Sequence, residues 1–259
     1  MKKFKLIGMV LVAIIMGVNF TSCKPDDEPE KPEDPVVEPT KKLVAFNETT
    51  FKYDDQGRLI ECIEYMSVDF KIKYTYVWGE NTIDINIYFN DNPESSNSCT
   101  LNLENGLASG LTGNPFTFLS SFKYNASNRI IETQSFMGTR TLEWNDDMLI
   151  SQEDKFNTGN GSNTYTYYNN KTTKGYNPHL AYCITIEYLY VAHPELIGLA
   201  TPKLIETETS YDVVGENEYT SSYRYEYEFD EDGYVNKVIV ICVADDDEYI
   251  ISEYIMTWE

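Results

Sequence analysis

The chain has 259 residues, with 42 acidic and 20 basic side chains and a formal net charge of −22. A surface of that charge repels polyanions, which argues against nucleic acid and anionic membrane surfaces as partners. The sequence holds two histidines and no CxxC pair, which gives no basis for a zinc site, and no cofactor or metal is predicted.

The first 22 residues (1–22) are predicted to be a signal peptide. Three lysines precede LIGMVLVAIIMGVNF, an apolar run of 15 residues that leads into Thr21 and Ser22. The run is shorter than the ~20 apolar residues that span a bilayer as a helix. A basic start, a short apolar stretch and small residues are together typical of a secretory signal.

Cys23 is the predicted lipid anchor. The motif FTSC resembles a bacterial lipobox, with Phe20 where Leu is usual. In that motif the thiol receives a diacylglyceryl group, and cleavage makes the cysteine the new N-terminus. Acyl chains bury CH₂ groups at ~0.8 kcal/mol each, so the membrane is a predicted partner through this lipid. The alternative is an ordinary signal cleaved nearby, which leaves the Cys23 thiol free.

A disordered spacer is predicted over residues 23–41. After the cysteine comes KPDDEPEKPEDPVVEPTKK, which has no hydrophobic periodicity and cannot order itself by burying apolar surface. Its prolines favour extended polyproline II, which at about 3 Å per residue holds a domain up to ~50 Å from the lipid. Loss of the signal removes three lysines and no acid, so the charge of the mature chain is about −25.

The acidic residues after the cysteine bear on location. Lys24 followed by Asp26, Asp27 and Glu28 resembles the export signal of surface-exposed lipoproteins in the Bacteroidetes, with Pro25 as an interruption. The predicted location is therefore the outer membrane, with the domain exposed at the cell surface. A periplasm-facing outer-membrane lipoprotein is the alternative.

Residues 42–259 are predicted to form one β domain. In KIKYTYVW the apolar side chains of Ile72, Tyr74, Tyr76 and Trp78 alternate with polar ones, and TIDINIYF and YRYEYEF follow the same pattern. Strict alternation predicts strands with one buried face. Between such runs lie DDQG, NASN and DEDG, whose Asp, Asn and Gly residues favour turns.

A repeat organises these strands. FKYDDQGRLIE at 51–61 returns as FKYNASNRIIE at 122–132, with weaker copies at 142–152 and 227–237. The predicted anchors are Tyr53, Trp78, Leu103, Tyr124, Trp144 and Tyr168. A period of about 20–25 residues indicates repeated hairpins. The predicted fold class is mainly β, an antiparallel up-and-down meander of about a dozen strands in a curved or barrel-like sheet.

This aromatic-turn pattern resembles YD-type repeats. Over residues 42–259 the arrangement is similar to an uncharacterised outer-membrane lipoprotein family of gut Bacteroidetes, domain of unknown function 4595. The resemblance implies a β-rich fold and lipidation at the outer membrane. It brings no catalytic residues to this sequence.

One segment, 177–205, departs from the strand pattern. Asn177 can cap a helix and Pro178 suits its first turn. The spacing of apolar residues predicts a short helix near 178–192 that ends before Pro194 and covers an open edge or end of the sheet. The same residues also alternate as a strand would, which leaves that alternative open.

The four remaining cysteines are predicted to be free thiols, because their wide spacing does not form a disulfide framework. Those at 99 and 242 lie in apolar strand runs and are expected to be buried. Disulfide pairing is the alternative. The four are Cys62, Cys99, Cys183 and Cys242.

No motif of a catalytic site is recognised, so no catalytic residue is predicted. The acidic runs at 230–233 and 244–249 are interpreted as turns or loops rather than calcium sites. His179 and His193 are interpreted as loop or helix-end residues. Tyr88, on a polar strand face, is expected to be exposed, where an aromatic ring can stack on a sugar or anchor a protein.

The sequence therefore favours a tethered, non-catalytic binding or interaction module, with a glycan or protein as ligand and ligand-binding residues that remain unknown. Two alternatives stay open. One is a hydrolase acting on surface glycan or peptide, which needs two carboxylates about 5–10 Å apart. The other is a structural component of the envelope.

Overall fold

Sixteen antiparallel strands form the sheet in this computed structural model, which describes residues 40–113, 119–172, 174, 187–244 and 247–259. Their bounds are β1 Leu43–Phe46, β2 Thr49–Tyr53, β3 Leu59–Ser67, β4 Phe70–Trp78, β5 Thr82–Phe89, β6 Asn92–Glu104, β7 Leu107–Gly113, β8 Leu119–Tyr124, β9 Ile130–Ser135, β10 Gly138–Asn145, β11 Met148–Phe156, β12 Gly159–Thr172, β13 Lys203–Val214, β14 Asn217–Phe229, β15 Val235–Ala244 and β16 Asp247–Trp258. The predicted signal, Cys23 and most of the predicted spacer lie outside the described residues.

The strand order is that of a meander whose two ends meet. Hydrogen-bonded neighbours run β7-β6-β5-β4-β3-β2-β1-β16-β15-β14-β13-β12-β11-β10-β9-β8. The first and last strands pair, and Lys42 and Glu259 exchange backbone hydrogen bonds of 2.6 and 3.0 Å. β7 and β8 lie side by side with Cα atoms within 8 Å but form no backbone ladder in the described residues. The sheet is a nearly closed barrel.

The predicted mainly β meander is confirmed, with sixteen strands where about a dozen were expected. Strands such as β6, NPESSNSCTLNLE, begin with polar residues that do not alternate with apolar ones. Their ladders to neighbouring strands, not their own composition, hold them in the sheet. Such strands are invisible to a search for hydrophobic alternation.

Successive turns fall at opposite ends of the barrel. The base is the end with the turns Asp54–Gly57, Asn125–Asn128 and Asp230–Gly233, and it also holds Lys42 and Glu259. The rim is the opposite end, where β3 turns into β4, β9 into β10 and β13 into β14.

The three base turns share one geometry. The backbone N–H of Asp54 donates to the Arg58 carbonyl, and one Asp54 carboxylate oxygen accepts from the N–H groups of Gln56 and Arg58 at 2.9 and 3.0 Å. Asn125 and Asp230 make the same set of bonds in their own turns. The acid or amide caps its own loop, so DDQG, NASN and DEDG are equivalent turns, as predicted.

The repeated aromatic anchors form a ring of hydrogen bonds near the base. Each anchor at the end of an even-numbered strand donates to the carbonyl of a buried residue that begins the preceding strand. The pairs are Tyr53 to Leu43, Trp78 to Leu59, Tyr124 to Ala108, Trp144 to Ile130, Tyr167 to Leu149, Tyr227 to Ile205 and Trp258 to Val235, at 2.6–2.9 Å. This ring explains the period of the repeat, because every successive pair of strands except β5–β6 contributes one aromatic donor.

One predicted anchor was wrong. The donor of the β11–β12 hairpin is Tyr167, because a bulge at Thr166 shifts the phase of the strand by one residue. Tyr168 instead donates to the Tyr225 carbonyl at 2.8 Å. Leu103 occupies an anchor position as predicted but carries no donor.

A short helix, α1 Glu187–Ala192, followed by a 3-10 turn, Pro194–Ile197, packs into the base end. Leu189, Tyr190 and Ile197 are almost fully buried in the core. The predicted short helix that ends before Pro194 is confirmed for its last turns, and the start predicted near 178 lies outside the described residues. In the described part of the chain, no helix is both long and apolar enough to cross a bilayer.

Cys62, Cys99 and Cys242 are buried free thiols. Burial raises the pKa of the Cys62 thiol well above its usual range, with a further increase from Glu64 and Glu61. These cysteines act as small core residues, as their sequence context predicted for Cys99 and Cys242. Cys183 lies outside the described residues.

Candidate functional site

Along β9–β14, the side chains on the inner face of the barrel change from apolar near the base to polar near the rim. Near the base they are apolar or aromatic, with Leu142, Tyr165 and Tyr225 buried. Towards the rim the inward positions become polar. The polar wall consists of Thr133, Arg140, Gln152, Asp154, Asn163, Ser210, Asp212 and Ser221.

Strand register places the members of the polar wall in two neighbouring rows. Arg140 lies opposite both Thr133 and Asp154, and the row continues through Gly161 to Asp212. A Cβ at Gly161 would approach Asp212 Oδ1 to 2.6 Å, so glycine makes room for that carboxylate. The second row runs from one amide to the next and then to two hydroxyls: Gln152, Asn163, Ser210 and Ser221.

A bidentate ion pair lies at the centre of the wall. Arg140 Nε donates to Asp154 Oδ1 at 2.6 Å, and Arg140 Nη2 donates to Asp154 Oδ2 at 2.9 Å. Both side chains are less than one-fifth exposed. The guanidinium also lies 6.0 Å from the centre of the Phe156 ring. Planar, two-point contacts of this kind fix both partners in one orientation.

Gln152 has an unused acceptor next to this pair. Its Nε2 donates to Asp154 Oδ2 at 3.1 Å, and the side chain is only 2% exposed. Its Oε1 is buried and has no hydrogen-bond partner within the described ranges. A buried acceptor without a donor costs about 1–3 kcal/mol, and an O–H group of a water molecule or of a ligand removes that cost.

Glu208 and Tyr225 form a second buried contact, one row closer to the base. Tyr225 Oη donates to Glu208 Oε2 at 2.5 Å, and both residues are buried. Burial raises the pKa of the Tyr225 phenol strongly, and the neighbouring Glu208 carboxylate raises it further. The phenol therefore stays protonated and serves as a fixed donor.

The inner carboxylates are engaged by neighbours. Asp154 uses both oxygens on Arg140, Glu208 accepts from Tyr225, and Asp212 accepts from the Ser210 hydroxyl at 3.2 Å. These contacts fix the positions of the carboxylates along the wall.

A surface cavity of ≈ 200 Å³ adjoins the wall between β11 and β13. Asp154 and Gly161 line it together with Glu153, Lys155, Asn160, Ser162 and the exposed ring of Tyr211. Glu153, Ser162 and Tyr211 form one row on the outer face of the sheet, so most of this lining belongs to the outer face and not to the polar wall.

In the turn Asp230–Gly233, a lysine contacts the carboxylates that a calcium loop would use to bind metal. Lys41 Nζ bonds Asp230 Oδ2 at 2.9 Å and also contacts Asp232. The hydrogen bond to Asp232 and the weaker effect of the one to Asp230 raise the pKa of the Lys41 ammonium. The hydrogen bond from Lys41 in turn lowers the pKa of the Asp230 carboxyl. Among the residues that the structure describes, no cluster of three or more His, Cys, Asp or Glu could hold a metal ion.

His193 is a structural residue at the end of α1. Its Nε2 accepts a hydrogen bond from the backbone N–H of Leu59 at 3.0 Å, and its Nδ1 lies 2.8 Å from Glu195 Oε1. The ring contacts Trp78 edge-on at 5.1 Å. The predicted helix-end role is confirmed for His193, and His179 lies outside the described residues.

Tyr88 is less exposed than its sequence position suggested. It does lie on the outer face, but Lys73 Nζ covers its ring at 5.3 Å and the side chain is partly buried. A long side chain from the neighbouring strand therefore occupies the face on which a sugar would stack. Tyr88 belongs to the sheet surface and not to the polar wall.

The sequence contains an indication of the polar wall, but the alternation of apolar and polar residues along one strand is not enough to recognise it. Gln152 and Asp154 occupy inward positions of β11, where the pattern calls for apolar residues. Polar residues at positions that point into the barrel indicate a possible site. They can be recognised only when it is known which residues of each strand point inward.

Comparisons with known proteins support the fold. No family model matches the chain, and no curated protein matches it in sequence. It is similar to the crystal structure of a porin-like protein from Bacteroides uniformis, with a TM-score of 0.58 and 16% identity over 85% of this chain and 96% of that one. A porin-like protein from Bacteroides vulgatus matches with a TM-score of 0.30 and 13% identity over 86% of this chain and 83% of that one. The likeness to the first structure shows that the barrel-like fold occurs in Bacteroides.

Proposed function

We propose that the protein is an outer-membrane lipoprotein, tethered by Cys23 with its domain at the cell surface, and that it binds neutral glycans without catalysis. The observation that carries the binding claim is Gln152 Oε1, a buried acceptor that has no donor in the described residues. Sugar hydroxyls supply such donors. The porin-like neighbour from Bacteroides is compatible with this location.

The chemistry of the polar wall favours neutral polyhydroxy ligands. Two amides and two serine hydroxyls run in one row, and these groups both donate to and accept from hydroxyl groups. The wall has one cation, Arg140, which Asp154 neutralises, while Glu208 and Asp212 add negative charge. An anionic glycan would be repelled, and a neutral one would not.

The outer face of the sheet supports a tethered domain surrounded by water. Ion pairs link neighbouring strands there, among them Lys52–Glu61 at 2.5 Å and Lys237–Glu253 at 2.9 Å. Such exposed pairs stabilise a protein little, but a lysine or arginine facing lipid at mid-depth would cost about 2–4 kcal/mol. A lipid on Cys23 would hold this domain at a membrane without burying those charges.

The chain enters the barrel at the base. Lys41 bonds Asp230 in a base turn, and Lys42 pairs with Glu259. The first described residues of the chain therefore join the barrel at the end opposite the polar part of its inner face.

A glycan array probed with the lipid-free mature chain tests the binding claim. We expect at least one neutral oligosaccharide to bind, with affinity reduced about tenfold or more in Gln152→Leu because the acceptor is lost. Glu153→Gln, on the outer face of the same strand, is the matched control and should leave binding unchanged. Failure of all neutral glycans to bind would reject the proposal.

Cell fractionation tests the tether independently. Cys23→Ala should release the protein from membranes, because no lipid can then be attached. Protease treatment of intact cells should remove the wild-type domain if it is at the surface. Membrane retention of Cys23→Ala, or full protection of the domain in intact cells, would contradict the proposed anchor or the proposed face of the membrane, respectively.

A further inference from the structure

We propose that a gap in the barrel wall binds an extended strand from a partner polypeptide of apolar and basic composition. The notch is this gap, bounded by Asp247–Glu253 of β16 on one side and by Tyr65–Ser67 of β3 on the other, above the short β1–β2 hairpin. This site lies apart from the polar wall, and its function does not depend on glycan binding.

The notch arises from unequal strand lengths. β1 and β2 have 4 and 5 residues, whereas β16 has 12 and β3 has 9. The ladder between β1 and β16 stops at Met256. Two bonds follow, from Asn47 N–H to the Ile255 carbonyl at 2.7 Å and from Ile255 N–H to Asn47 Oδ1 at 2.8 Å. Beyond that point, Asp247–Glu253 pairs with β15 on one side and with no strand on the other within the described residues.

The dimensions of the notch suit added β-strands. Two strands separate β16 from β3, so the flanks are three spacings of ~4.8 Å, about 14 Å, apart. Seven residues of β16 present an edge about 24 Å long. Backbone N–H and C=O groups along such an edge pair readily with another extended chain. The gap has room for one or two strands.

Exposed apolar side chains are concentrated on both flanks. Eight of the fifteen large hydrophobic side chains that are exposed in the described residues belong to β16 or to the rim end of the β3–β4 hairpin, residues 65–70. They are Tyr249, Ile250, Ile251 and Ile255 on one flank and Tyr65, Met66, Val68 and Phe70 on the other. Val68 is fully exposed at the tip of its hairpin. Clusters of this kind on a soluble surface indicate an interaction site.

The negative charge of the β16 edge favours a basic partner. The edge carries Asp247, Glu248 and Glu253 and no basic residue. Arg224 and Lys237 from neighbouring strands contact two of these acids, but Asp69 adds a further acid on the opposite flank. A strand that alternates apolar and basic residues would complement both features.

A second copy of the chain is a poorer occupant. Antiparallel self-pairing about the centre of the edge, Ile250, would place Asp247 opposite Glu253 at both ends, and like charges directly opposite destabilise a sheet. Two chains that each carry a formal charge of −22 also repel one another. The geometry therefore points to a foreign strand.

Fluorescence anisotropy with the lipid-free mature chain tests the proposal. The probe is a labelled ten-residue peptide that alternates Val and Lys, with blocked ends, and the comparison peptide alternates Val and Glu. We expect the Lys peptide to bind and the Glu peptide to bind at least tenfold more weakly. Ile250→Asp should weaken binding about tenfold, whereas Val77→Asp, equally exposed on β4 away from the notch, should not.

N-methylated peptides provide a test that leaves the protein unchanged. Methylation of the amides along one edge of the peptide should abolish binding, and methylation along the other edge should not, because only one edge pairs with β16. Equal effects of the two patterns, or no binding of the Lys peptide, would overturn the proposal. Concentration-dependent dimers lost in Ile250→Asp, or binding to zwitterionic lipid vesicles in preference to the peptide, would also overturn the assignment to a foreign strand.

Discussion

The Tyr124 hydroxyl donates a hydrogen bond of 2.6 Å to the backbone carbonyl of Ala108, across the two strands whose ladder is missing in the described residues. The same bond in the first hairpin, from Tyr53 to Leu43, joins strands that already pair. One feature of the repeat therefore reinforces a hairpin in one place and closes the barrel in another.

Tyr124→Phe should loosen the seam between β7 and β8. Loss of one net hydrogen bond costs about 1 kcal/mol, which lowers the melting temperature by roughly 2–4 °C for a domain of this size. Hydrogen exchange should accelerate at residues 107–113 and 119–124. Tyr53→Phe is the matched control, with a similar loss of stability but no acceleration at the seam. Equal exchange in the two variants would show that the bond has no special role there.

Asn125→Ala should destabilise its base turn. The Asn125 side-chain oxygen accepts from the N–H groups of Ser127 and Arg129, both at 2.9 Å. Their loss should cost about 1–2 kcal/mol in urea unfolding. Asn125→Asp should retain full stability, because Asp54 and Asp230 serve the same purpose in the equivalent turns. Loss of stability in Asn125→Asp would contradict the equivalence of the three turns.

Arg140→Met should destabilise the polar wall, because it leaves Asp154 without its cation. The expected cost is about 2 kcal/mol, the value of a charged hydrogen-bonded contact in a partly buried site. Adding Asp154→Leu should restore much of the stability, since the remaining charge is then removed as well. If the double variant were as unstable as the sum of the two single ones, the pair would not be coupled in the way its geometry indicates.

Stability should fall in alkali above about pH 10. Burial raises the folded-state pKa of Tyr76, Tyr190, Tyr225 and Tyr227. For such groups the contribution to stability is complete below the unfolded pKa of about 10 and is lost as the pH rises towards the folded pKa. Tyrosinate absorbance should therefore rise in two phases, with the second coinciding with loss of the β-sheet circular dichroism signal. A single phase near pH 10 with an intact sheet would contradict this assignment.

Local chemistry made the hairpins predictable from sequence. The turn around Asp54 recurs because Asp and Asn at its first position can both accept two backbone bonds, so the motif survives exchange of charge. The position of Tyr167 was missed because a bulge shifts strand phase by one residue, and sequence carries no direct record of a bulge.

The candidate sites depend on relationships that are not local. Gln152 lies beside Asn163 and Ser210 only because β11, β12 and β13 pair in one register. The notch exists because β1 pairs with β16, so that a short hairpin near the start of the chain adjoins a long strand at its end. Alternation along each strand cannot indicate either arrangement.

Hydrogen–deuterium exchange with a neutral oligosaccharide that binds on the array shows whether the polar wall is the ligand site. Saturating ligand should protect the amides of β10–β13, residues 138–172 and 203–214, and leave those of β3–β5 unchanged. Gln152→Leu should lose this protection at the same ligand concentration, and Glu153→Gln should keep it. Protection confined to β3–β5, or none despite measured binding, would contradict the claim.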